Sequence, residues 1–103
     1  MTRVVLDRSG RSLTLRGHAM SAKKGADLVC AALSALCCTL MAVPGAESEL
    51  GEGYRRVLLP PGRECELETV CRGLRLLAAD FPRCVSFEEE RAGRDGEEKE
   101  EKG

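Results

Sequence analysis

The stretch that most constrains this chain is LVCAALSALCCTLMAV, Leu28 to Val43, an apolar run broken only by Ser34 and Thr39 and ended by Pro44 and Gly45. Inside it Val29, Ala32, Leu33, Leu36 and Leu40 recur at helical spacing, which predicts an α-helix. The run falls short of the roughly 20 residues a bilayer crossing requires. Its other face is alanine and cysteine rather than charge, so the helix is expected to be covered on nearly every side. The cover has to come from the rest of a 103-residue chain, which is long enough for one domain with a single modest core.

The flanking segments supply strands and a second helix. Thr2 to Asp7 is rich in β-branched residues, Ser12 to Gly17 alternates as SLTLRG, and DRSGR between them is a turn, so the chain opens with a β-hairpin. A glycine-bounded loop, GHAMSAKKG, leads to the apolar helix, whose expected start is Asp27, a good N-cap residue. Tyr54 to Leu59 reads as a short strand closed by Pro60 and Pro61. From about Arg63 to Phe81, Leu67, Val70, Cys71, Leu74, Leu77, Ala78 and Phe81 make one apolar stripe opposite Glu68, Arg72 and Arg75, a helix that packs by one face. Cys84 to Phe87 can add a last strand. The expected architecture is an α/β fold of the α+β type, a small mixed sheet with two helices in the order β-β-α-β-α-β. Residues 1–87 form the domain, and the acidic stretch 88–103, with no aliphatic residue larger than alanine, is expected to be a disordered tail.

Charge and cysteine content narrow the function classes. A formal net charge of -1 gives no reason to expect nucleic acid or a membrane surface as partner. The amino-terminal MTRVVLDRSG has no run resembling a signal-peptide core, so a cytoplasmic protein is expected. The six cysteines are then expected to be reduced, with Cys30, Cys37, Cys65 and Cys71 behaving as small hydrophobes within helical patterns. No C-x-x-C pair occurs and there is one histidine, so neither a metal nor another cofactor is expected.

Two residues carry candidate chemistry. With Asp27 as N-cap, Cys30 falls in the first helical turn, where free backbone N–H groups and the helix dipole favour a thiolate. The same N–H groups suit an oxyanion formed when a thiolate attacks an amide. His18, leaving the end of a strand, can stand opposite as general base. Each has an ordinary alternative: Cys30 as core filler, His18 as a surface residue, Asp27 as a helix cap, Ser34 returning a hydrogen bond to the backbone.

The whole string decides between them. Gly17, His18 and Ala19, then Gly25, Asp27, Val29, Cys30, Ala31, Ala32, Ser34 and Ala35, resemble the motif of the ribosomal-processing cysteine protease family, Prp. The element order over residues 1 to about 90, with Gly53 and Tyr54 opening a strand, is similar to that family as well. The resemblance implies a cytoplasmic, dimeric α/β protein that removes the amino-terminal extension of ribosomal protein twenty-seven of the large subunit, cutting after an aromatic residue. It implies Cys30 as nucleophile and His18 as base, Asp27 and Ser34 in support, and a substrate loop containing Gly17, Ala19, Lys23, Lys24 and Gly25. Two departures stand out. PGAESELGEG is shorter than the corresponding family segment, which leaves a strand there in doubt, and Lys23 and Lys24 occupy loop positions where acidic or aromatic residues are common. The rival readings are a non-catalytic ribosome-associated or assembly factor that binds a ribosomal protein tail, and a redox sensor using Cys30 with Cys37 or Cys38.

Overall fold

The computed structural model describes residues 1–17 and 24–90. Five strands and two helices follow in the order β1 (Thr2–Asp7), β2 (Ser12–Arg16), α1 (Lys24–Met41), β3 (Glu47–Gly51), β4 (Tyr54–Leu58), α2 (Glu64–Asp80) and β5 (Val85–Glu90). The strands form one sheet in the spatial order β3-β4-β2-β1-β5, antiparallel throughout except for the parallel pair β1 and β5. The expected mixed sheet with two helices is present, and the short segment after α1 does carry a strand: Glu47–Gly51 pairs with β4 as a hairpin.

Local chemistry explains the turns. Between β1 and β2 the Asp7 carboxylate accepts the Gly10 N–H at 3.0 Å and the Ser9 hydroxyl at 3.3 Å, and the left-handed position falls on Arg11 (φ 55°) rather than on Gly10. Thr39, one of the two interruptions of the apolar run, donates its hydroxyl to the Ala35 carbonyl at 2.8 Å, so it does not break the helix. At the start of α2, Glu64 and Glu66 occupy the first turn, where negative charge is favoured.

Both helices lie on one face of the sheet, α1 against α2 and β4, α2 against α1 and β5. The strand registers place Val4, Leu15 and Phe87 in one row and Leu6, Leu13 and Val57 in the next, all facing the helices. These side chains close on Val29, Leu33, Cys37 and Leu40 of α1 and on Leu67, Val70, Cys71 and Leu74 of α2. The two helices approach where Gly73 meets Leu36; a Cβ at Gly73 would stand 3.2 Å from the leucine Cδ1.

Four expectations are corrected. α1 begins at Lys24, not Asp27, because no proline separates the loop from the helix and the backbone ladder extends upstream through Lys24, Gly25 and Ala26. α1 is not covered on every side: Leu28, Ala31, Ala35, Cys38 and Ala42 form an exposed row, because the sheet and α2 reach only the opposite face. Cys65 is exposed rather than packed, since it precedes the stripe that α2 buries. The fold also runs past residue 87, because Glu88, Glu89 and Glu90 continue β5 beside Val5, Leu6 and Asp7. Arg3 binds Glu88 at 2.9 Å, Arg8 binds Glu89 at 2.8 Å and Glu68, and Arg75 binds Glu89 at 3.2 Å, so acidic residues are accepted in the strand by arginines on three elements. The acidic stretch beyond Glu90 lies outside the described residues.

Candidate active site

At one end of the sheet the chain opens a cleft of about 300 Å³, lined by Thr2, Leu15, Gly17, Cys30, Leu33, Ser34, Gly51, Gly53, Tyr54 and Arg55. It lies where β2 ends and β4 begins, under the first half of α1. Glycine makes this corner possible. Gly17 has φ +89°, and a Cβ there would stand 2.5 Å from the Met1 carbonyl oxygen. Its N–H donates to the Gly53 carbonyl at 2.8 Å, tying the end of β2 to the β3–β4 turn. Gly53 itself has φ 66°. The residue after Gly17 is His18, so the chain leaves β2 for the histidine from the wall of the cleft.

Cys30 reaches the cleft from α1. Val29 and Leu33 on the same helix are buried at 1% and 3% exposure, which sets the rotation of the helix and leaves Cys30 half-buried at the cleft wall. Ser34 follows one turn later and lines the same space. Among the described residues its hydroxyl has no hydrogen-bond partner, so the expected bond to the backbone is not what it makes. The other thiols are disposed differently. Cys37 and Cys71 are sealed in the core, and burial pushes both upward, Cys71 to about 11. For Cys37 the nearby Arg55 guanidinium partly offsets that rise.

The helix start changes the electrostatic argument for Cys30. With α1 beginning at Lys24, Cys30 stands in its second turn, and the amides left free at the helix start belong to the turn ahead of it. The dipole acts mainly within the first turn, so the expectation that rested on a first-turn Cys30 does not carry over. Asp27 lies within the helix, one turn before Cys30, and cannot be its N-cap. Lys24 and Gly25, expected in the loop, are in that same first turn. His18, Ala19 and Lys23 lie outside the described residues. Of the expected site residues, the structure thus brings Gly17, Cys30 and Ser34 to one cleft. It adds Arg55, which sequence reasoning passed over because YRRVL shows no alternation to separate an inward arginine from an outward one.

A half-buried cysteine that lines an open cleft with a serine and glycine backbone is accessible to a substrate, and the comparisons with known proteins say what kind of protein carries it. The family model of the cysteine protease Prp matches residues 1–86. The ribosomal processing cysteine protease Prp of Mycoplasma pneumoniae is 31% identical over 97 residues, which cover 81% of this chain and 91% of that protein. Among solved structures, an essential ribosomal processing protease Prp from S. aureus, in complex with a substrate peptide, superposes with a TM-score of 0.69 at 16% identity, covering 86% of this chain and 97% of the other. A protein from Streptococcus mutans superposes with a TM-score of 0.68 at 22% identity, covering 87% and 92%. The fold is shared with both. The chain is a cysteine protease, and it belongs to the ribosomal processing protease family Prp.

Proposed function

We propose that this protein is the endopeptidase that removes the amino-terminal extension of ribosomal protein twenty-seven of the large subunit, with Cys30 as nucleophile and His18 as base. The observation that carries the reading is the place of Cys30: the thiol at the motif position of a Prp family member lines an open cleft, whereas Cys37 and Cys71 are sealed in the core. The relative from S. aureus binds a substrate peptide, and another structure of it carries a covalently linked product peptide, chemistry that fits a thiol nucleophile.

In this mechanism His18 takes the Cys30 proton, the thiolate attacks the scissile carbonyl, and a tetrahedral oxyanion forms. Backbone N–H groups near the cleft hold that oxyanion. His18 then gives its proton to the leaving amine, and water hydrolyses the thioester, returning the thiol. The family places Asp27 and Ser34 in support, and both fit a role on one helical side of Cys30, a turn before and a turn after it. Gly17 belongs to the corner from which the substrate loop departs, and Ala19, Lys23, Lys24 and Gly25 complete the stretch between histidine and cysteine.

The protein works as a cytoplasmic homodimer in this reading. Among the described residues no helix is long and apolar enough to cross a membrane, and the exposed row Leu28, Ala31, Ala35 and Cys38 is the kind of surface that a second copy covers. Light scattering that returns a monomer at working concentration removes the dimer. For the activity, wild-type protein and a Cys30→Ala variant are incubated with full-length ribosomal protein twenty-seven, and the products are weighed. A shortened product from the wild type alone is expected. Tight binding by both forms with no product would favour the non-catalytic factor.

A further inference from the structure

Among the described residues, Thr2 is one of two polar residues that the fold buries, 4% exposed. It lies on the helix-facing side of β1, two residues before Val4 and opposite Val85 of β5. Its backbone N–H donates to the Cys84 carbonyl at 2.8 Å, which fixes the start of β1. Its hydroxyl has no hydrogen-bond partner among the described residues. The exposed threonines of the helices are better provided for: Thr39 donates to the Ala35 carbonyl at 2.8 Å and Thr69 to the Cys65 carbonyl at 2.9 Å. An interior hydroxyl without a partner forfeits its hydration and gains nothing in return, so such groups call for an explanation. What Thr2 does face is the cleft, which it lines with Gly17, Cys30 and Ser34. Gly17 stands beside it without a side chain; a Cβ there would lie 3.8 Å from the Thr2 Cα.

We propose that the Thr2 hydroxyl is a substrate-binding group that hydrogen-bonds a main-chain peptide group of the substrate as it passes Cys30. The inference rests on the protease reading above and deepens it, because the cleft is the one that Cys30 lines. The partner is main chain rather than side chain for a steric reason. Gly17, Gly51 and Gly53 line the sheet side of the cleft, and a wall without side chains lets a second backbone come within hydrogen-bonding distance. A peptide that enters there leaves water, and its N–H and C=O groups then require partners. A hydroxyl serves either, since it donates to a carbonyl and accepts from an N–H. Leu15 and Leu33, both buried, are left to meet the side chains of the substrate. The Thr2 contact holds the peptide without selecting its sequence.

The test uses the full chain and a synthetic peptide spanning the cleavage site of ribosomal protein twenty-seven. A companion set replaces each peptide bond near the scissile one in turn by an ester, which removes one N–H and weakens the adjacent carbonyl as an acceptor. Binding is measured by fluorescence anisotropy in the Cys30→Ala background, and cleavage of the all-amide peptide with Cys30 intact. Thr2→Val exchanges the hydroxyl for a methyl of similar shape, and Thr2→Ser keeps it. Thr2→Val is expected to bind about fivefold more weakly and to raise KM by a similar factor with kcat nearly unchanged, while Thr2→Ser stays near wild type. One ester is expected to cost about fivefold in binding with Thr2 present and nothing in Thr2→Val, because the same hydrogen bond is lost only once. The melting temperature of Thr2→Val is expected to equal or exceed the wild-type value, since an unpartnered hydroxyl has left the interior. A lower melting temperature assigns the hydroxyl to the fold and overturns the proposal. Ester costs that are equal with and without the hydroxyl overturn it too, leaving an ordered water as the partner of Thr2. Cleavage and binding that do not depend on Thr2 would sink this role and leave the protease standing. Thr2-dependent binding without cleavage would do the reverse.

Discussion

The two helices lie side by side on the same face of one sheet and each seals one cysteine in the core, Cys37 on α1 and Cys71 on α2, but α1 also carries Cys30, which is placed differently. On α2, Cys71 is closed in by Leu67, Val70 and Leu74, and burial pushes the thiol to about 11, where it is inert at neutral pH. On α1, Cys30 stands at the margin of the same core, beside a cleft that glycine backbone keeps open. α2 is anchored on its charged side as well, through Glu68 and Arg75, to Arg8 and Glu89. The apolar outer row of α1 has no such anchoring. The comparison teaches that residue type does not distinguish a thiol that lines a cleft from a packing thiol in this fold. What distinguishes them is their surroundings: Cys71 is sealed in the core, whereas Cys30 is half-buried at the wall of a cleft.

The contrast can be broken most decisively at Cys30. A Cys30→Ser variant is expected to lose about a thousandfold or more in kcat/KM while its melting temperature stays at the wild-type value; a variant that keeps its activity would remove Cys30 from the mechanism. The α2 counterpart should do the opposite. Leu74, fully buried, is expected to cost about 2–5 kcal/mol when replaced by Ala, read from urea unfolding, with cleavage nearly unchanged well below the melting point. A large loss of turnover in a folded Leu74→Ala protein would mean that the two helices are not functionally separate.

At the cleft corner, Gly17→Ala puts a methyl against the Met1 carbonyl at a positive φ, and is expected to cost about 1–3 kcal/mol and to lower activity together with stability. Thermal melting and kcat/KM measured on the same sample check both. Thiol labelling sharpens the contrast without mutation. Iodoacetamide on the native protein near pH 8 should modify Cys38, Cys65 and Cys30, leaving Cys37 and Cys71 until the protein is unfolded; rapid labelling of Cys71 would contradict its burial.

The smallest effect belongs to the ion pairs. Arg8 holds the Glu68 carboxyl below its ordinary value and Arg3 does the same for Glu88, so both carboxylates release their protons more readily in the folded state. Their contribution to stability is present above the unfolded carboxylate range and disappears as pH falls through the lowered folded values. Arg8→Gln should therefore melt a few degrees lower at pH 7, and the gap from wild type should narrow toward pH 3. Because these groups are exposed, 0.5 M salt should shrink the gap as well. A gap independent of both pH and salt would assign the loss to packing of the arginine stem.

Much of the fold was legible in local pattern. β1 was read at Thr2 to Asp7 as it stands, and α2 came within a residue at each end, because β-branched content and a one-sided apolar stripe are properties of neighbouring residues. β3 was harder to read. Every residue of Glu47–Gly51 is exposed, so no burial pattern marks it, and its strand character comes from pairing with β4. The start of α1 was misplaced for a related reason: Asp27 is a good cap in isolation, but a helical ladder can extend past a weak signal. Glu88 to Glu90 look like tail by composition and become strand because Arg3, Arg8 and Arg75 arrive from distant positions to meet two of them.

The sequence by itself determined the element types, the apolar stripes that build the core, and the motif around His18 and Cys30 that marks a Prp protease, since periodicity and spacing are written along the chain. Only the tertiary structure decided which cysteine lines a cleft and which is sealed, and that Arg55 rather than Arg56 lines that cleft with Cys30. Those facts depend on strand register and on contacts between residues far apart in sequence, where a shift of one residue turns every side chain to the other face.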